Sequence, residues 1–282
     1  MKHDEGHLKT NNKDNIYYQF WLPEKEIKAV LLIVHGLAEH SGRYENIINW
    51  FVPLGYAVYA LDHIGHGKSS GQRGYVDNFS DYTYTLKIYL DKVQNWQKNK
   101  PIFLFGHSMG GLISASFLLS YKTQLAGAIF SSPSIKSPKK VSSILVMIGT
   151  LLSKLLPTIG LIKLTSEGVS SDKTVVDNYL VDPLVYTGKT TARLASELYK
   201  AMQIVFLEAS NISLPIIIFQ GGQDQLVHPD GAQILFDMVS SADKTLKIYE
   251  QMQHEVFNEP GNERVLDDMQ DWLDRRNDYN LG

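Results

Sequence analysis

The chain has 282 residues, 44% of them apolar and 20% charged, which excludes a disordered polymer and leaves room for one large or two small domains. It contains no cysteine, so disulfides, thiolate metal sites and cysteine nucleophiles are excluded. Lysine and arginine number 27 against 30 acidic residues, a net charge of −3 without a basic stripe, which argues against nucleic acid as a partner.

In chain order, residues 1–15 (MKHDEGHLKTNNKDN) hold no apolar run. They read as a loose polar tail without a secretory signal. Residues 16–22 read as an antiparallel edge strand. Short apolar, β-branched runs follow at 30–35, 56–61, 102–105, 126–130, 216–219 and 246–249. Strands buried on both faces of a parallel sheet have this composition. Helical patterns lie at 43–51, 81–97, 109–121, 230–240 and 263–275. The alternation predicts an α/β fold, a mostly parallel sheet flanked by helices.

The alternation breaks between Ser134 and Asn211. There Val141, Ile144, Leu145, Ile148, Leu152 and Leu155 recur at helical spacing, while Val146, Met147, Leu151 and Leu156 widen the apolar surface. The expected organisation is a core of residues 1–133 and 210–282 with a helical insertion over 134–209. Residues 141–164 are apolar but do not span a membrane. The uncharged run between Lys140 and Lys154 is 13 residues, against the ~20 a spanning helix needs, and Pro157 interrupts the second half.

The pattern G-x-S-x-G occurs twice, at 106–110 and 67–71. Context separates the two. Ser108 follows a predicted strand and opens a predicted helix, the setting of a nucleophile elbow. Ser69 is followed by polar residues and reads as a surface loop. A serine hydroxyl needs a base, and in this strand order the acid and histidine follow the serine. His228 and His254 are the histidines beyond Ser108. His254 follows the strand at 246–249 and reaches the same sheet edge, so it is the expected base. Asp224, in the loop after the strand at 216–219, is the expected acid, with Asp230 the alternative that instead opens a helix. Oxyanion donors are expected from the backbone N–H of Met109, after the nucleophile, and of Leu37, in the turn after the first parallel strand. His35 reads as a brace for that turn. The glycine-rich and histidine motifs fail the spacing of phosphate, dinucleotide and zinc sites, so no cofactor and no metal are implied.

The string His35-Gly36-Leu37-Ala38-Glu39-His40-Ser41-Gly42-Arg43-Tyr44 resembles the monoglyceride lipase and lysophospholipase group of the α/β-hydrolases. Residues 62–69, 106–111, 179–184 and 243–250 extend the resemblance over about 16–275. The family's triad falls on Ser108, Asp224 and His254, and its oxyanion donors on Leu37 and Met109. The resemblance implies a helical cap over the active site, hydrolysis of the ester of monoacylglycerols, and substrate contacts from Glu39, Arg43 and Tyr179. Phe257 stands where animal members have a second histidine, a pattern more like the bacterial branch. A lysophospholipase, a broad carboxylesterase and a non-catalytic ligand-binding α/β-hydrolase stay open as alternatives. The apolar insertion, flanked by Lys136, Lys139, Lys140, Lys154 and Lys163, reads either as core packing or as an acyl funnel in peripheral contact with membrane. The absent signal leads to a cytoplasmic expectation, and the sequence leaves the oligomeric state open.

Overall fold

The computed structural model describes residues 1–10, 14–122, 124–136, 142–163 and 165–278, apart from the side chains of 143–145 and 278. Lys139, Lys140 and Val141, and the side chains of Ile144 and Leu145, lie outside the described residues. Ten strands are described: β1 (Lys2–Lys9), β2 (Asn15–Leu22), β3 (Ala29–Val34), β4 (Tyr56–Leu61), β5 (Ile102–His107), β6 (Gly127–Ser131), β7 (Gly160–Lys163), β8 (Lys189–Thr191), β9 (Ile216–Gly221) and β10 (Lys244–Tyr249). Eight of them form one sheet in the order β1-β2-β4-β3-β5-β6-β9-β10. From β4 to β10 all neighbours are parallel; β1 and β2 are antiparallel additions at one edge.

The continuous apolar runs are explained by the two layers that cover the sheet. Val30, Leu32 and Val34 of β3 pack with α2 (Ser80–Trp96), α3 (Met109–Ser120) and α7 (Asp230–Met238), through Leu86, Leu112 and Leu235. Ala29, Leu31 and Ile33 point the other way, to α1 (Glu45–Phe51) and α8 (Glu263–Asp278), through Phe51 and Trp272. With side chains alternating and both faces dry, no strand position in β3 can be polar.

Between β6 and β9, the described residues of the inserted segment add no strand to this sheet. They form α4 (Ser143–Leu155), α5 (Lys173–Val181) and α6 (Ala192–Glu208), with β7 and β8 paired antiparallel. Leu194, Ala201 and Val205 of α6 join the main core, which anchors the segment.

Three expectations change. The N-terminal stretch read as a loose tail is the outermost strand, so residues 16–22 form an inner strand and not the edge. In β1 only Leu8 is buried, so the strand carries no apolar alternation; its eight-residue register with β2 is main-chain pairing. Charged side chains are what a solvent-facing edge strand tolerates. The insertion, expected to be helical, also holds the β7–β8 pair, whose strands of four and three residues are too short to show a strand period. Ser69 is buried, not in a surface loop: its Oγ donates to the Asp62 carbonyl (2.6 Å) and accepts from the Tyr17 amide (2.9 Å).

Candidate active site

Strand β5 ends at His107 and α3 begins at Met109, leaving Ser108 alone at the turn. Its φ of 53° and ψ of −118° lie where a residue with a side chain is strained. Close approach holds it there. A Cβ on Gly110 would sit 1.9 Å from the Val34 carbonyl oxygen, and one on Gly106 would meet Ser114 Oγ at 2.4 Å. Glycine alone therefore lets α3 pack tightly against β3 and β5 and present the serine at the carboxyl edge of the sheet.

Asp224 and His254 come from loops after the neighbouring strands β9 and β10. His254 Nδ1 donates to Asp224 Oδ2 at 2.7 Å, with both side chains almost fully buried. The other carboxylate oxygen accepts from the amides of Leu226 (2.9 Å) and Val227 (3.0 Å), and Gln220 Nε2 reaches Oδ2 at 3.0 Å. Burial pushes the Asp224 carboxyl up, but the His254 charge and these hydrogen bonds outweigh it and hold the group below the ordinary carboxylate value. For His254, burial works against the imidazolium, and Asp224 outweighs it, leaving the ring above the ordinary histidine value. His107, its ring tilted against that of His254 at 4.8 Å, is pushed down to about 3 by burial and by His254, so it stays neutral. His228, by contrast, accepts from the Asp230 amide at the start of α7, and Asp230 pairs with Lys136.

A cavity of about 90 Å³ brings Ser108 and His254 together with Leu37, Met109, Glu39 and Tyr179. Met109 opens α3, so its N–H belongs to a first turn whose amides lack intrahelical acceptors. Leu37 lies in the turn after β3, which His35 holds: its Nδ1 donates to the Gly36 carbonyl (2.7 Å) and its Nε2 accepts from the His63 amide (2.9 Å). Thr165, Val169, Tyr179 and Leu198 of the inserted segment close the other side. Arg43 lines a second, smaller cavity that shares Glu39, His107 and Glu255 with this one.

Two further residues at the site are missed by the sequence reading. Ser132, with φ of 43°, donates from Oγ to the His254 carbonyl at 2.7 Å. Glu255, directly after His254, is buried and paired with Arg43. For Glu255 a signal exists: a carboxylate between His254 and the apolar Val256-Phe257 needs a buried cation.

A mostly parallel sheet bearing a serine on a strained strand–helix turn, with an aspartate–histidine pair on later loops, defines an α/β-hydrolase. Residues 25–261 match the family described as serine aminopeptidase, S33, and the chain belongs to that family. Monoacylglycerol lipase of Mycolicibacterium smegmatis is 35% identical over 258 residues, 92% of each chain. Monoglyceride lipase of Rattus norvegicus is 33% identical over 276 residues, 97% of this chain and 91% of the rat enzyme. The crystal structure of Paleococcus ferrophilus monoacylglycerol lipase superposes with a TM-score of 0.83 at 28% identity, covering 93% of this chain and 99% of that one. This chain is a serine hydrolase of the carboxylic ester class.

Proposed function

We propose that the enzyme hydrolyses monoacylglycerols to fatty acid and glycerol through an acyl-enzyme on Ser108. The observation that carries this is the Asp224–His254 hydrogen bond, set in the cavity that Ser108 lines. Ser108 Oγ attacks the ester carbonyl while His254 Nε2 takes its proton. The Leu37 and Met109 amides hold the oxyanion, and Asp224 fixes the tautomer and stabilises the imidazolium. His254 then protonates the departing glycerol, and a water activated by the same ring releases the fatty acid.

The alcohol side favours a neutral leaving group. Among the described residues, the cavity lining holds Glu39 and Glu255 and no lysine or arginine to meet a phosphate. Glu39, as a hydrogen-bonding carboxyl beside Tyr179, suits glycerol hydroxyls. Lysophospholipids are the second substrate class to test. The cavity is small beside the ~300–1,000 Å³ of ordinary ligand pockets, so a long acyl chain enters only when residues 134–209, acting as a cap, shift outward.

That cap presents Met147, Leu151, Leu155 and Leu156 at α4, Ile162 on β7 and Leu207 on α6 to solvent, with Leu155 69% and Leu207 76% exposed. Side chains of this size in number mark a lipid-facing surface, and we assign it to peripheral membrane contact. Among the described residues no helix is long and apolar enough to cross a membrane. Fatty-acid release from monooleoylglycerol, lost in Ser108→Ala, tests the assignment; turnover unchanged in that variant overturns it.

A further inference from the structure

Arg43 joins three parts of the molecule. Its Nη1 and Nη2 donate to the two oxygens of Glu255 at 2.6 and 3.0 Å, a fork that matches a carboxylate. Nη1 also reaches Glu39 Oε2 at 3.3 Å, and Glu39 Oε1 accepts from the Gly36 amide (2.5 Å) and the Tyr44 hydroxyl (2.8 Å). The flat face of the guanidinium lies 4.5 Å from the ring centre of Tyr179, on α5 of the inserted segment. Arg43, Glu39 and Glu255 are all at least nine-tenths buried. One side chain thus touches the histidine loop, the oxyanion turn and the insertion.

The histidine loop is also held by the His254–Asp224 bond, by Asn258 Nδ2 donating to Glu255 Oε2 at 2.8 Å, and through its backbone. Ser132 Oγ donates to the His254 carbonyl, and the Glu255 amide donates to the Val169 carbonyl at 2.9 Å. The Glu255–Arg43 fork adds a second charged contact beside His254–Asp224. Asp224, His107, Glu255, Glu39, Arg43 and Tyr179 are the titratable and charged groups that surround His254 from the neighbouring elements. Arg43 is balanced by Glu255, so no net positive charge confronts the imidazolium that forms during turnover.

We infer that Glu255 and Arg43 are positioning residues of the ester hydrolysis: their buried pair registers the His254 loop against the oxyanion turn and the inserted segment. Arg43 then holds the machinery together and is not a contact for the substrate. The inference rests on His254 acting as the general base.

Glu255→Gln keeps the shape and one acceptor but removes the charge, leaving Glu39 as the one carboxylate paired with Arg43 beside His254. The expected result with monooleoylglycerol is a fall in kcat of about tenfold, KM within about twofold, and an ascending limb of the pH–kcat/KM profile moved to lower pH. Arg43→Lys keeps the charge but loses the fork and the stack; kcat should fall by a similar factor, with slower labelling of Ser108 by a fluorophosphonate. Wild-type kcat with an unmoved pH limb in Glu255→Gln overturns the inference. So does a large rise in KM at unchanged kcat in Arg43→Lys, which makes Arg43 a substrate contact. If Glu255→Gln does not fold, Glu255→Asp carries the test: a lowered kcat with the limb in place supports the inference, and wild-type kinetics overturn it. Failure of the parent reading looks different, because Ser108→Ala would then retain activity.

Discussion

The sheet core and the inserted segment use the same apolar residue types to opposite ends. In β3, β4, β5 and β9 every side chain is buried, and two helical layers share them. In α4 and the end of α6, leucine, isoleucine, methionine and phenylalanine side chains face solvent, while α6 sends Leu194, Ala201 and Val205 into the core. The core therefore holds Ser108, Asp224 and His254 in place, and the insertion lines the cavity beside them while leaving apolar side chains exposed to solvent. Stability and substrate access are separable properties of the two regions.

The largest effect should come from the core's reactive edge. Ser108→Ala should lower kcat on monooleoylglycerol by roughly 10⁴–10⁶-fold with the fold intact by circular dichroism. Asp224→Asn should cost about 10⁴-fold, since His254 Nδ1 would lose the carboxylate that fixes its tautomer. In the wild type, His254 must be neutral to act as base, and its affinity for the proton is raised, so kcat/KM should climb only as pH rises above the ordinary histidine value of 6.5. A pH–rate profile checks this; a limb at or below that value would contradict the Asp224 pairing.

Next comes the packing contrast. Leu104→Ala in β5 should destabilise the protein by about 2–5 kcal/mol in denaturant unfolding, because the site is fully buried. Leu155→Glu with Leu207→Glu should change stability by less than about 0.5 kcal/mol per site, yet weaken flotation with phosphatidylcholine vesicles. Turnover of a short soluble ester should stay at the wild-type rate. Equal losses on soluble and vesicle-borne substrate would erase the distinction between the two regions.

The core should also be sensitive to acid. His63 and His66 are pushed down to about 3 and about 4, burial being the main cause, and His35 is lowered with them. Unfolded, these rings take up protons below about 6.5, so the native state binds fewer protons there and stability falls as pH drops from 6.5 toward 4. Melting temperature should decline across that window, and less steeply in His66→Gln.

Much of this was legible in the sequence because the core obeys strong local rules. The parallel strands are continuous apolar runs, and the elbow needs Gly106 and Gly110 at fixed spacing around Ser108. Chain order then picks out Asp224 and His254, which the fold brings into contact. The features that escape depend on distant partners. Strand β1 is defined by main-chain pairing with β2 and not by its side chains. Ser69 looks polar and superficial until Asp62 and Tyr17 close over it. Arg43 and Glu255 lie 212 residues apart, so neither reveals that the other neutralises it. The resemblance implies a substrate contact from Arg43; its guanidinium meets two carboxylates and a ring, contacts that no local pattern in the sequence announces.

The most direct measurement is fatty-acid release from monooleoylglycerol and from oleoyl-lysophosphatidylcholine, side by side, with Ser108→Ala as control. A strong preference for the monoglyceride, abolished in the variant, is the expected result, since no lysine or arginine among the described residues lines the cavity to receive a phosphate. Faster turnover of the lysophospholipid, or equal release by wild type and variant, would contradict the account.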